Sequence, residues 1–380
     1  MYSYNEIKTV HLEITEKCNA ACPMCARNIN GGEENPWLHN AELSLSDIHT
    51  IFPDAFIQQL NHMFMCGNYG DPIVAKDTLA VFKHFRKVNP NIYLSMNTNG
   101  SARTQTWWRD LAKTIGIDGY VIFSIDGLED TNYLYRKNTV WEKIMDNAKA
   151  YIEAGGIAHW EYIVFEHNQH QIEEARRLSE QMGFTKFQVK KSARFFSSVS
   201  GSSKSHIETI DRTGAKVVIR EPSDALYANQ TTKEMSSIAE EKEILFPTKK
   251  IDLLGKLNPE MFDSRSKVQQ HYDTTSIKCK VKEEKSIYIS AEGILQPCCW
   301  VAGQMYNWYH TPKGSQIWSF INRVGKDKIN TLNHTLEDIL DNDYFGSIER
   351  SWDKPSCNEG KLQVCAKTCG TNDAFAQQYL

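Results

Sequence analysis

The chain reads as an α/β protein whose first half is a mostly parallel sheet, and three features of the sequence lead there. Six short runs rich in apolar, β-branched or aromatic residues recur over residues 1–195. Stretches of helical periodicity fall between them, the alternation that builds β/α units. Each run is followed by a loop of uncommon composition, and in β/α barrels the loops leaving the carboxyl ends of the strands build the active site.

The expected strands are Lys8–Thr15, Met63–Cys66, Ile92–Met96, Tyr120–Ile125, Ala158–Phe165 and Phe187–Lys190. Between the fourth and fifth, a helix is expected from about Val140 to Ala154. Trp141, Ile144, Met145, Ala148 and Ile152 fall on one face there, and Gly155-Gly156 supplies the stop. Ile172 to Met182 is a second helix, ended by Gly183, and Ser44–Leu60 a third that Pro53 interrupts. The loops are the stretch from Cys18 to Cys25, Gly67-Asn68-Tyr69-Gly70-Asp71-Pro72, Asn97-Thr98-Asn99-Gly100, Asp126-Gly127, Glu166-His167-Asn168, and Lys191 to Arg194. Together they make one rim.

With 380 residues, 41% of them hydrophobic, the chain can bury one large core or two domains. Lys plus Arg number 43 against 47 Asp plus Glu, a net charge of −4, and no basic run tracks a nucleic acid or an anionic membrane, so neither partner is expected. Met1 to Glu6 lacks the basic and apolar regions of a signal peptide, and no apolar run approaches the ~20 residues of a membrane span, so a cytoplasmic protein is expected. In that reducing compartment the ten cysteines read as metal ligands rather than disulfides. Three lie between Cys18 and Cys25 and six between Cys279 and Cys369; Cys66, in an apolar run, reads as a buried core thiol.

Cys18-Asn19-Ala20-Ala21-Cys22-Pro23-Met24-Cys25 places three thiolates on one loop, enough for three corners of a metal centre. An open fourth corner is what a catalytic centre keeps. A zinc knuckle completed by His11 or His39 is the plainer alternative. The CxxxCxxC spacing resembles the signature of the radical S-adenosylmethionine (radical SAM) superfamily, although Met24 stands where many members have an aromatic residue. The resemblance implies that Cys18, Cys22 and Cys25 ligate a [4Fe-4S] cluster whose open iron is chelated by SAM. Tyr69-Gly70-Asp71-Pro72 resembles the family's Gly-Gly-Glu-Pro motif, which binds the methionyl amino group through backbone carbonyls and a carboxylate. Gly70, Asp71 and Asn99 are thereby implied SAM contacts. Ser124 and Asp126 look like the segment that meets the SAM ribose or carboxylate, and Arg136 matches an arginine that can pair with that carboxylate. Plainer readings stand beside these: Asn99-Gly100 and Asp126-Gly127 as turns, Arg136 as a solvated surface charge.

From Phe195 to Ser276 the pattern degrades. Ser197 to Ser205 is polar, Met235 to Lys250 is a mixed-charge stretch with one helical candidate, and the whole is expected to join two domains or cover the barrel's open side. Beyond it come Cys279, Gly293 and Cys298, with Ser286–Leu295 reading as a hairpin that turns at Ala291-Glu292-Gly293. This resembles the opening of the SPASM/Twitch domains that follow many radical SAM barrels, and Cys365-Ala366-Lys367-Thr368-Cys369 resembles their CxxxC pair. The one-cluster Twitch version implies a second, auxiliary [4Fe-4S] cluster on Cys279, Cys298, Cys365 and Cys369, with Cys299 and Cys357 as spares. Structural zinc on the same sulfurs is the alternative.

The expected whole is a partial (β/α)6, TIM-like barrel over residues 1–195, a connection over 196–276, and a small Twitch-like Fe–S domain with a β-hairpin over 277–380. The resemblance implies an oxidoreductase, supplied with electrons by a donor such as flavodoxin or ferredoxin, that cleaves SAM to a 5′-deoxyadenosyl radical and takes a hydrogen from its substrate. Dehydrogenation of a small molecule or sugar is favoured. One-cluster Twitch proteins include a dehydrogenase of a cyclitol alcohol, and the first strand begins by about residue 8, leaving no leader-binding domain ahead of it. The alternatives are radical modification of a peptide or protein side chain, and a non-catalytic Fe–S or zinc scaffold.

Overall fold

A computed structural model of the chain describes residues 1–29, 31–192, 194–197, 202–228, 269–307 and 313–371. The six expected runs all form strands: β1 (Thr9–Leu12), β2 (His62–Met65), β3 (Tyr93–Thr98), β4 (Gly119–Ser124), β5 (Ala158–Val164) and β6 (Lys186–Lys191). Each pairs in parallel with the next. Between them come α1 (Leu45–Ile51), α2 (Asp54–Gln59), α3 (Thr78–Val88), α4 (Gln105–Ile115), α5 (Asn132–Tyr135), α6 (Trp141–Glu153) and α7 (Ile172–Met182). Ser44 starts α1 with a capping box, its hydroxyl accepting from Asp47 N at 3.2 Å while the Asp47 carboxylate accepts from Ser44 N at 2.8 Å. Pro53 splits α1 from α2 and stands at the α2 N-cap, where its missing N–H is no loss.

Side chains alternate across each strand, so one face of the sheet meets the helices and the other lines the barrel lumen. Val10, Met63, Leu94, Phe123 and Trp160 lie fully buried in the core that joins the sheet to its helices. Burial of a side chain such as Phe123 contributes about 1.5–3 kcal/mol. α6 buries Ile144, Ala148 and Tyr151, whereas Trp141, Met145 and Ile152 of the expected stripe are only partly covered. Packing decides the difference: the Tyr151 ring meets Trp108 of α4 and Phe123 of β4, which turns the helix toward them. Gly183 takes φ +88° at the end of α7, a left-handed conformation that strains any other residue.

The described residues after Phe195 form strands that their composition does not suggest. A two-residue pair, β7 (Phe196–Ser197) with β8 (Ser202–Ser203), precedes an antiparallel hairpin of β9 (His206–Ile210) and β10 (Lys216–Arg220). The Asp211 carboxylate closes that hairpin by accepting from Thr213 N (2.9 Å) and Ala215 N (3.1 Å). Ile219 then packs in one apolar cluster with Ala20, Cys22, Tyr135, Phe165 and Phe195, so the hairpin covers the cysteine loop. The helical candidate at Met235 to Lys250 lies outside the described residues.

The expected carboxyl-terminal hairpin forms as β11 (Ser286–Ile289) and β12 (Leu295–Gln296), with Gly293 at φ +80° in its turn. β11 also pairs in parallel with β1, Val10 opposite Ile287, which extends the sheet to eight strands in the order β12-β11-β1-β2-β3-β4-β5-β6. All four β11 residues are buried, as a strand covered on both faces requires. The rest is helical: α8 (Lys280–Glu283), α9 (Cys299–Ala302), α10 (Ile317–Val324), α11 (Leu336–Asp341), α12 (Tyr344–Ser351) and α13 (Gln363–Cys369). Among the described residues no helix is long and apolar enough to cross a membrane.

Candidate functional site

Cys18, Cys22 and Cys25 occupy the loop that leaves β1, and the backbone holds it closely. Cys25 N donates to Cys22 O at 3.1 Å, Asn28 N to Cys25 O at 3.0 Å and Ala21 N to Lys137 O at 3.0 Å. Burial pushes the Cys22 thiol up to about 11, with Arg136 pulling the other way; burial, then Asp71 and the other two thiols, push Cys18 up as well. Thiols that burial keeps protonated become thiolates when a bound metal centre displaces the proton, which is what a ligand set does on loading. Neither histidine weighed for a zinc knuckle joins them. His11 Nε2 bonds Cys66 O and its ring stacks on Phe64, while His39, largely exposed, pairs with Glu292. Among the described residues no three His, Cys, Asp or Glu side chains converge as a single metal ion requires. A four-iron cube carries its thiolates farther apart than one tetrahedral ion does, so three free thiols on one loop without a fourth protein ligand fit the cluster.

The loop after β2 is built against this one. Gly70 lies so close to the chain before Cys18 that a Cβ would sit 1.7 Å from Thr15 O, so only glycine fits. The buried Asp71 carboxylate accepts four bonds: Thr98 Oγ1 (2.8 Å) and Ile73 N (3.2 Å) on one oxygen, Asn99 N and Nδ2 (2.7 Å each) on the other. That fills a carboxylate's acceptor sites with the protein's own donors, and burial raises its pKa in spite of them. Asn99 is far from a mere turn residue. Its side-chain amide also reaches Asn19 Oδ1 at 2.9 Å and stands 3.8 Å from Cys18 Sγ.

Glu13, which sequence reasoning passed over, accepts from Tyr69 N (2.6 Å), Gly70 N (3.2 Å) and the Tyr288 hydroxyl. A charged residue inside an apolar strand was the available signal. Burial above all pushes its carboxyl up to about 7 from the ordinary 4.5. The folded state therefore holds the proton more tightly than the unfolded chain, and stability falls as pH rises between those two values. Glu13→Gln is expected to flatten that limb, worth on the order of 3 kcal/mol, in urea denaturation run at several pH values.

Farther round the same rim Asp126 is fully buried and takes Arg136 Nε (2.6 Å) on one oxygen and Ile163 N (2.6 Å) on the other. Asn168 Nδ2 braces it by donating to Asp126 O at 3.0 Å. Arg136 is no solvated surface charge: its side chain is 16% exposed, and Nη1 stands 4.0 Å from Cys22 Sγ. A second arginine, Arg194 in the loop after β6, donates to Met24 O at 2.5 Å, with no sequence signal beyond its place on that rim. Ser124 is half-buried at the end of β4. Below the rim, Lys190 Nζ pairs with Glu161 at 2.5 Å and also acts electrostatically on Cys66 and Asp126. A group that feels β2, β4 and β5 from β6 lies in the lumen, and Cys66 is there among charges rather than in the apolar core.

The structure brings Cys279, Cys298, Cys365 and Cys369 into the lining of one small pocket. Its other lining is almost wholly apolar, with Pro297, Trp300 and Trp352 among it, and the donor set fits a cluster. Burial pushes Cys298 up to about 12, and a hydrogen bond from Cys279 lowers Cys369. Cys357 and Cys299 do not line it; Cys357 N bonds Asp273 Oδ1 at 2.6 Å, and Cys299 faces Cys66 and Glu13.

Residues 12–178 match the family described as the Radical SAM superfamily. Over 122 residues the chain is 30% identical to the tungsten-containing aldehyde ferredoxin oxidoreductase cofactor-modifying protein of Pyrococcus furiosus, a match that spans 32% of each chain. The fold is similar to that of Streptococcus suis SuiB. The structure bound to precursor peptide SuiA gives a TM-score of 0.53 at 16% identity, covering 94% of this chain and 70% of that one. The structure bound to S-adenosylmethionine gives 0.51 at 16% identity, covering 96% and 73%. The cysteine triplet at the head of a parallel β/α sheet and the family match from residue 12 to residue 178 agree, so residues 12–178 form a domain of the radical SAM type.

Proposed function

We propose that the chain is an oxidoreductase that cleaves SAM reductively and dehydrogenates a small molecule or sugar. The observation that carries the reading is the meeting of Cys279, Cys298, Cys365 and Cys369 in one pocket beyond a radical SAM domain. A second redox centre gives a two-electron oxidation somewhere to deliver its second electron. When bound, SAM on a reduced [4Fe-4S] cluster supplies a 5′-deoxyadenosyl radical that removes one hydrogen atom from the substrate.

The chain's own residues bind, orient and move protons. Cys18, Cys22 and Cys25 would hold the first cluster and leave its fourth position to SAM, and the four later cysteines would hold the second. The carbonyls around Gly70 receive an ammonium group; the Asp71 carboxylate, already engaged, keeps the loops after β2 and β3 in register. Arg136 is fixed through Nε by Asp126, which leaves its remaining N–H groups to a carboxylate, and Ser124 and Asn99 offer hydroxyl and amide to the same ligand. In the lumen, the Lys190–Glu161 pair suits a substrate with hydroxyl or amino groups, and Glu161 can accept the proton lost when an alcohol becomes a carbonyl. The hairpin of β9 and β10 covers the triplet and keeps water from it. An electron donor such as flavodoxin or ferredoxin completes the system.

The likeness in fold to a protein solved with its precursor peptide favours a second reading, radical modification of a peptide side chain. Reduced, anaerobically reconstituted protein incubated with SAM is expected to release 5′-deoxyadenosine. S-adenosylhomocysteine as sole product would overturn hydrogen abstraction, and absence of any SAM binding would leave a non-catalytic scaffold. Product analysis against hydroxylated small molecules and candidate precursor peptides separates the two substrate classes.

A further inference from the structure

One loop, residues 67–72, lies between the segment that carries the cysteine triplet and the helix opened by Cys298, and is bonded to both. Cys298 opens α9, its carbonyl accepting from Ala302 N at 3.0 Å. Two carbonyls of that turn face the loop: Asn68 Nδ2 donates to Cys299 O at 2.8 Å, and the Tyr69 hydroxyl to Gly303 O at 2.9 Å. Tyr69 is 4% exposed, and its ring stands edge-on to Tyr306 with centroids 5.7 Å apart. On the loop's other side Asp71 N donates to Lys17 O at 2.9 Å, and the Asp71 carboxylate grips Asn99, which reaches Asn19 and Cys18. A continuous path of bonds thus runs from Cys298 to Cys18 through residues 68–71.

We propose that Tyr69, with Asn68, is a positioning residue that ties the loop carrying Gly70 and Asp71 to the helix opened by Cys298, so that order in the four-cysteine pocket sets the geometry of the loop beside Cys18. The functional side of this inference rests on the reading of residues 67–72 as the SAM-contact loop. Tyrosine stands where the motif this loop resembles has glycine, so the tie belongs to this chain rather than to the motif. Its buried hydroxyl needs a partner, and Gly303 O accepts from it. Two sites that share one element influence each other reciprocally, so SAM bound at the loop also steadies the pocket.

The test is hydrogen exchange in the segment 67–72 of the full-length, reconstituted protein. Tyr69→Phe keeps the ring against Tyr306 and removes only the hydroxyl. Exchange in that segment is expected to quicken about five- to tenfold, the effect of one buried hydrogen bond, while iron and sulfide content stay unchanged. SAM affinity, measured by titration, is expected to fall by a similar factor. Cys298→Ala should act on the same segment, and the double variant should show less than the sum of the two effects. Should Cys298→Ala unfold the lobe, Tyr69→Phe and Asn68→Ala decide alone. Exchange within about twofold of wild type in Tyr69→Phe, or full additivity in the double variant, overturns the tie. Wild-type protein that binds no SAM yet shows the exchange effects would count against residues 67–72 as the SAM loop and leave the tie standing.

Discussion

Replacing Cys18, Cys22 and Cys25 together by alanine is expected to abolish 5′-deoxyadenosine formation and to lower the iron of the reconstituted protein from about 8 to about 4 per chain. Sulfide should fall in step, and the charge-transfer absorption by about half. The fold should survive, because the loop is held by backbone bonds such as Cys25 N to Cys22 O that alanine retains. Cys22→Ala alone should already end SAM cleavage, since two thiolates cannot keep the cluster in the form that leaves one iron to SAM. Stoichiometric zinc without charge-transfer absorption in anaerobically isolated protein would overturn both cluster assignments at once.

Cys298→Ala is expected to separate an electron-transfer role for the second centre from a structural one. After a hydrogen atom is taken, the substrate radical must lose one more electron to become a carbonyl, and an oxidised cluster accepts it where redox-inert zinc does not. The variant is expected to make 5′-deoxyadenosine and to release no oxidised product, with circular dichroism run beside turnover because metal binding in a small lobe is partly folding free energy. Tyr344 and Phe345 of α12 and Ile287 and Ile289 of β11 belong to the same core as the barrel, so the lobe does not depend on metal alone. Oxidised product at the wild-type rate from a folded variant that lacks the second cluster would assign the pocket a structural role.

The sheet was legible because its strands are short apolar runs separated by turn residues, and each of the six expected runs became a strand within a few positions. The β9–β10 hairpin was missed although Ile207 and Thr209, then Val217 and Ile219, alternate in the required way. The polar serines before it drew the reading toward a linker. Arg136 was equally legible as a surface charge, and only its bond to Asp126 places it beside Cys22.

By itself the sequence determined what depends on local pattern: the strand and helix alternation, the glycine and proline stops, the three thiols on one loop and the hairpin at Gly293. These are set within a few residues by φ preferences, side-chain periodicity and ligand spacing. The tertiary structure decided everything that joins distant segments. It paired β11 with β1, buried Glu13 under Tyr288, set Lys190 against Glu161 of the neighbouring strand, and gathered four cysteines that span residues 279 to 369 into one pocket without Cys357. Contacts between residues far apart in the chain follow from how packed elements come to share one core, and spacing along a single sequence carries no record of that.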